Sequence, residues 1–358
     1  MNNKLIKILP LLCICVMTCG HIDEAKANTA DYLASGCRYE KQGCYLLAIV
    51  NFQQAMRGDR TYKQEALAHA QACAHSFESI KNWPPLQKDT AKTIADVFQK
   101  IEQQWNQHDI QAEMAHFDAA YINSDGFNKF TVTAQTLKLW ETYPDVQIKL
   151  DIAGLAVQDD CAIVRWTSTM SGHTAFEEPG LAGKGKLASS STGLSFFTRT
   201  EKTWKLVGQV TEAEDVIVNF GKSESVISQL ASPSEVHQDA KFSATCKQSL
   251  PPGTVGVCSI TSMLLEYPLR QPKDVWIELD PRGIAQCELS APTEYKNALV
   301  MATTGLTDAA RTKFVGYQFR TNRIIVIPKD SDLNLPAIVA HGPPIPPIQR
   351  LSLREQQK

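Results

Sequence analysis

The chain of 358 residues has no apolar run long enough to cross a bilayer as a helix, which takes about 20 residues. It also has no dense stripe of lysine and arginine, and its formal net charge is only -2, which removes the electrostatic term that drives nucleic-acid binding. Several catalytic signatures are missing. Ser195 sits in Gly193-Leu194-Ser195-Phe196-Phe197 without the second glycine of a nucleophile elbow. The glycine-rich stretch Gly180-Leu181-Ala182-Gly183-Lys184-Gly185 lacks the closing Lys-Ser/Thr and following helix of a phosphate loop, and reads as a connection between strands. His108, Glu113 and His116 do not form a His-Glu-x-x-His pattern and read as a solvated face. No cofactor is implied and no metal site is assigned.

The first residues, Met-Asn-Asn-Lys-Leu-Ile-Lys, precede a short apolar run from Ile8 to Met17, the layout of a secretory signal. Ala25-Lys26-Ala27 offers a small-x-small cleavage site, giving a signal peptide over residues 1–27. Val16-Met17-Thr18-Cys19 offers a second route, lipidation at Cys19. The expectation is a periplasmic or secreted protein, with an outer-membrane lipoprotein as the alternative. Export makes disulfides expected among Cys37, Cys44, Cys73, Cys161, Cys246, Cys258 and Cys287, and their odd number leaves one over.

With 43% hydrophobic and 21% charged residues the chain can bury real cores, and its length predicts two or three domains. Residues 28–82 read as a helical hairpin: an apolar stretch through Leu47, Ile49, Phe52 and Ala55, a Gly58-Asp59 break, then an alanine-rich helix from Glu65 to Phe77. Asn82-Trp83-Pro84-Pro85 interrupts the chain. Beyond it, Thr90 is expected to cap a helix with Ile94, Val97, Phe98, Ile101 and Trp105 on one face. Further helices are expected over Ala112–Tyr121, capped by Asp109, and Ala134–Tyr143, stopped by Pro144. From Asp145 the period becomes two, giving strands near Val146–Ile152, Cys161–Thr169, Leu187–Arg199 and Thr203–Glu212. A Ser/Glu-rich linker, Ser223–Gln238, then leads to a β-rich domain at 239–330. A Pro-rich extended tail follows at 331–358. The fold class is thus α+β and multidomain.

Two resemblances sharpen this. Gly43-Cys44, Arg57-Gly58-Asp59 and Ala72-Cys73 resemble one unit of the cysteine-bearing Sel-like, tetratricopeptide-type repeats, in which two cysteines staple paired helices. The resemblance implies a Cys44–Cys73 disulfide. Export favours that bridge over a zinc site built from Cys37, Cys44, His69 and Cys73. Cys246 and Cys258 flank a Pro251-Pro252-Gly253 turn and are expected to bridge adjacent strands; Cys287 is left with Cys161, Cys37 or no partner.

The second resemblance spans residues 88–221. Trp105-Asn106-Gln107-His108-Asp109, Tyr143-Pro144-Asp145, Val164-Arg165-Trp166, Ser171-Gly172-His173-Thr174 and the strand from Trp204 to Glu214 resemble the SnoaL-like polyketide-cyclase group of the nuclear transport factor 2-like superfamily. That implies a cone-shaped α+β barrel around a concave space, lined here by Trp105, Phe117, Tyr121, Trp140, Trp166 and Phe196. Such a space takes an apolar ligand by shape plus a few polar groups, although aromatics of this kind also simply fill cores. In the cyclase relatives a carboxylate on the last strand abstracts a proton. That position falls on Gln209, which cannot take a proton, with Glu212, Glu214 and Asp215 nearby. His173 matches a pocket histidine of the relatives. These points favour a non-catalytic envelope accessory protein that binds a small apolar ligand or a peptide through His173, Gln209 and the aromatics, while its flanking parts contact other envelope proteins. The alternatives are a cyclase- or isomerase-type enzyme using His173 and Glu212, and a structural or assembly protein with a filled cone.

Overall fold

Ile148, Leu150 and Ile152 alternate with polar residues along strand β2 (Gln147–Gln158), and their apolar side packs against helix α4 (Lys88–Asn106). A strand at a sheet edge exposes unpaired backbone groups. Here α4 covers them with its own side chains: Asn106 bonds both the N–H (2.7 Å) and the C=O (2.8 Å) of Ile148, and the Leu150 N–H donates to Glu102 Oε2 at 2.7 Å. This computed structural model describes residues 29–57, 60–79, 87–201, 203–265, 275–293 and 297–327. The signal segment with its two processing sites, the Gly58-Asp59 turn, the Trp83-Pro84 break and the Pro-rich tail lie outside those residues.

Antiparallel strands continue from β2 through β3 (Cys161–Glu177), β4 (Lys184–Thr200) and β5 (Thr203–Gly221). The sheet bends at a bulge where Gly193 faces Val210 and Trp166. A Cβ on Gly193 would stand 2.2 Å from the Val210 carbonyl and 2.7 Å from the Trp166 ring, so the bend requires glycine. Helices lie on both faces. On one, α1 (Thr29–Lys41), α2 (Tyr45–Arg57) and α3 (Lys63–Ser79) pack on Ile163, Leu194, Phe196 and Val207. On the other, Ala162, Val164 and Phe197 meet α4.

Several expectations are corrected here. The N-terminal segment is three helices rather than a hairpin, because Leu33, Gly36 and Tyr39 give α1 its own buried side. Helix α4 begins at Lys88 with Gln87 as its cap residue, and Thr90 does not cap it. Asp109 does cap a helix, accepting from the Ala112 N–H, but α5 is only Ile110–Met114. Phe117–Asn123, expected to be helical, is strand β1, paired in parallel with β5. Helix α6 (Lys129–Thr142) starts earlier than expected because Asn128 caps it. The expected linker carries strands β6 (Ile227–Ala231) and β7 (Glu235–His237).

The largest departure concerns the final third. Strands β8 (Lys241–Ser249), β9 (Thr254–Leu264), β10 (Trp276–Glu278), β11 (Ile284–Ser290), β12 (Ala298–Asp308) and β13 (Phe314–Ile327) run through it. They do not form a sheet of their own, however. Strand β13 pairs with the second half of β5, from Gly316 opposite Gly221 to Asn322 opposite Asp215, so ten strands share one sheet. Only β11, β8 and β6 form a separate layer, packed over the end of it. The expected cone closed by residues 88–221 alone is therefore not what the chain forms: its strands share one sheet with the final third. Among the described residues no helix is long and apolar enough to cross a membrane.

Candidate functional site

The residues expected to line a hollow cone mostly fill it. Trp105 and Trp140 meet edge to face at 5.8 Å, Phe117 and Tyr121 at 4.8 Å, and Trp166 and Phe196 are buried in the two packed faces of the sheet. Gln209 is spent inside this packing: it accepts from the Tyr121 hydroxyl at 2.7 Å and donates to Ser195 Oγ at 3.1 Å.

The expected acid–base pair is not assembled. His173 lies level with Lys186 and Asn219 in the sheet, whereas Glu212 sits near the Gly193 bend, so the two are separated along β5 by residues 212–219 or roughly 23 Å of strand. His173 is half exposed and held by Asp145, which accepts from its backbone N–H (2.6 Å) and stands 2.8 Å from Nδ1. Glu212 faces Arg165 in a two-pronged ion pair at 3.0 and 3.2 Å. His173 is thus an exposed residue held by Asp145, and Glu212 a part-buried ion-pair partner.

A cavity of about 340 Å³ lies where α6 faces the seam between β5 and the final strands. Its wall is mainly apolar: Val132 and Leu139 from α6, Val216 and Val218 from β5, and Met263, Leu299 and Met301 from β9 and β12. None of the eight residues expected to bind ligand lines it. One end is polar and charged. Arg323, almost wholly buried on β13, pairs with Asp125 and lies 3.8 Å from Glu214. Its Nε is buried without a hydrogen-bond partner. Burial pushes the Glu214 carboxyl above the usual range; Arg323 pulls it back in part and Asp125 pushes it further up. A third of its side-chain surface is open, at the cavity wall.

Glu214 was visible in the sequence as one of three acidic residues near the expected end of the strand Thr203–Glu212, which in fact runs on to Gly221. Arg323 was not, because nothing local to it announces a partner in the turn after β1. Glu113, read as solvated, is instead buried, and burial alone raises its carboxyl to about 8.

The cysteines also differ from expectation. Cys44 bonds to Cys161, with the Cα atoms 6.2 Å apart, so the helices are stapled to β3 and not to each other. Cys73 is a buried free thiol. Cys246 and Cys258 are also free thiols, brought together between the two sheets, with the Gln248 amide donating to Cys246 Sγ at 3.2 Å.

No protein-family profile matches the chain. No curated protein matches it either. Solved structures resemble about a third of it. The Bd1075 protein of Bdellovibrio bacteriovorus is 12% identical over 35% of this chain and 42% of its own, with a TM-score of 0.28. A nuclear transport factor 2-like protein of Streptomyces avermitilis assigned to the dehydratases is 15% identical over 35% of this chain and 97% of its own, with a TM-score of 0.30. A hexachlorocyclohexane dehydrochlorinase of Novosphingobium barchaimii is 13% identical over 34% of this chain and 85% of its own, with a TM-score of 0.29.

Proposed function

We propose that this protein binds a small, largely apolar molecule in the cavity between α6 and the seam of β5 with the final strands, with one polar group of the ligand meeting Glu214 and Arg323. The observation that carries this reading is the cavity itself: its volume of about 340 Å³ falls in the range of small-molecule sites, and it combines an apolar wall with one convergent charged cluster. The reading includes export, supported by the charged and apolar N-terminal segments and by the Cys44–Cys161 bond, which suits an oxidising compartment. It also includes an accessory, non-catalytic role in the envelope, with the outer helices and strands contacting other proteins. The engagement of Gln209 with Tyr121 and Ser195 and the surface position of His173 support the absence of turnover by the acid–base route.

A second reading has its own support. The raised carboxyl of Glu214, beside an apolar cavity, is suited to proton abstraction, so an isomerase- or dehydratase-like reaction would use Glu214 and not Glu212.

The test is titration with N-phenyl-1-naphthylamine, an apolar fluorophore. Saturable binding at one site, abolished by Leu299→Trp with unfolding midpoint retained, supports the reading. Absence of saturable binding, or binding indifferent to Leu299→Trp, overturns it. Consumption of a bound carbonyl compound that stops in Glu214→Gln would move the assignment to the enzyme.

A further inference from the structure

The removal of Cys44 to Cys161 leaves a set of unassigned donors where α1 meets α3. Cys37 and Glu40 stand one turn apart on α1; His69 and Cys73 stand one turn apart on α3. His69 Nε2 is 4.0 Å from Cys37 Sγ, and His69 Nδ1 is 2.6 Å from Glu40 Oε2. Donor atoms of Cys37, Glu40 and His69 all lie within 4.8 Å of one another. The imidazole is fixed on a third side by Phe52, stacked on it at 5.3 Å and itself lodged against Gly36, the residue before Cys37.

We infer that Cys37, His69 and Cys73 form a metal site for a thiophilic ion of the zinc type, with Glu40 as the group that orients His69. Tetrahedral zinc, with bonds of about 2.3 Å to sulfur and 2.0 Å to nitrogen, places those two atoms roughly 3.6 Å apart, so the observed 4.0 Å needs a shift of a few tenths of an ångström. The carboxylate on Nδ1 is the usual companion of a metal-bound histidine: it fixes the tautomer that leaves Nε2 free to ligate. Cys73 follows His69 one turn later on α3, fully buried and outside the group whose donor atoms lie within 4.8 Å of one another, so its thiol has to swing inward to join them. The same donors suit thiol nucleophile chemistry less well. Cys37 sits within α1, where backbone N–H groups are engaged in the helix and leave no donors for an oxyanion. The fourth ligand position belongs to solvent, since Cys37 and His69 are part-exposed at this end.

The test is cobalt(II) titration of the full chain under mild thiol-protecting conditions. One equivalent giving a thiolate-to-cobalt charge-transfer band, displaced by zinc, is expected. The band should vanish in Cys37→Ser and His69→Ala and persist in Cys258→Ser. Glu40→Gln should weaken zinc binding about 10- to 100-fold while leaving one equivalent bound. Circular dichroism spectra matching the parent protein separate loss of the site from loss of the fold. Two results would overturn the assignment: no cobalt band at stoichiometric metal, or a Cys37–Cys73 disulfide found by peptide mapping of protein purified without reductant.

Discussion

Arg323 on the last strand forms a buried ion pair with Asp125, a residue 198 positions earlier in the turn between β1 and α6. Asn297 donates to the same carboxylate at 3.0 Å. Glu214 completes the cluster from the middle strand, so three distant segments meet at the charged end of the cavity. The final third of the chain therefore does more than extend the sheet: it supplies the only cation among the described residues lining the cavity.

Removing that cation should be costly in a specific way. Arg323→Met leaves Asp125 without its buried partner, and breaking such a pair from one side typically costs about 3 to 5 kcal/mol. Adding Asp125→Asn to Arg323→Met should restore most of the loss, because the stranded charge is then gone. Urea unfolding of the two single variants and the double variant measures the coupling. Equal destabilisation of Arg323→Met with and without Asp125→Asn would show that Arg323 acts by packing alone.

Glu113 gives the fold a pH dependence of known sign. Its carboxyl stands at about 8 when folded, above the ordinary 4.5, because burial disfavours the charged form, and one of its oxygens is buried with no hydrogen-bond partner. Between those two values the folded state holds the proton and the unfolded state has released it, so unfolding releases protons and stability falls as pH rises, by up to about 1.4 kcal/mol per unit. The contribution is intact below the unfolded value and is lost progressively through the folded one. Glu113→Gln should flatten the fall between pH 5 and pH 8. A parent and variant with parallel profiles over that range would mean that Glu113 is solvated.

The parts of the fold that rest on local pattern were legible in the sequence. Alternation through Val146, Ile148, Leu150 and Ile152 gave β2, and the apolar face from Ile94 to Trp105 gave α4. Strand β1 was not legible: Phe117 and Tyr121 sit four apart and Ala119-Ala120 lie between them, a helical pattern, and only parallel pairing with β5 makes the segment a strand. The same limit hid the site. Glu214 sits in a strand whose direction is readable, but the face it turns to is set by β13, whose pairing with residues 215–221 no spacing in the chain encodes. Cys161 likewise carried no sign that Cys44, separated from it by 117 positions, would be its partner.

That bond should matter to stability because the loop it closes is long. For 117 residues the chain-entropy relation gives about 5 kcal/mol, an upper figure for a bond that also joins two packed layers. Cys44→Ser with Cys161→Ser should lower the unfolding midpoint strongly, while reductant should shift the parent and leave the double variant unmoved. Non-reducing peptide maps give the pairing directly. A map linking Cys44 to Cys73 would restore the stapled hairpin and displace the metal assignment at Cys73.

Gly36 offers the most discriminating single substitution. In an ordinary helix interior, alanine for glycine stabilises by up to about 1 kcal/mol. On α1 the added carbon would stand 2.4 Å from the Phe52 ring, and Phe52 is wholly buried, so the ring has nowhere to retreat. Overpacking of this kind costs roughly 1 to 3 kcal/mol, which outweighs the propensity gain and reverses the sign. Because Phe52 also stacks on His69, the same variant should weaken cobalt binding by displacing the imidazole from its line to Cys37. Thermal unfolding and metal titration of Gly36→Ala check both halves, and a variant more stable than the parent would mean that α1 and α2 do not pack as closely as this contact requires.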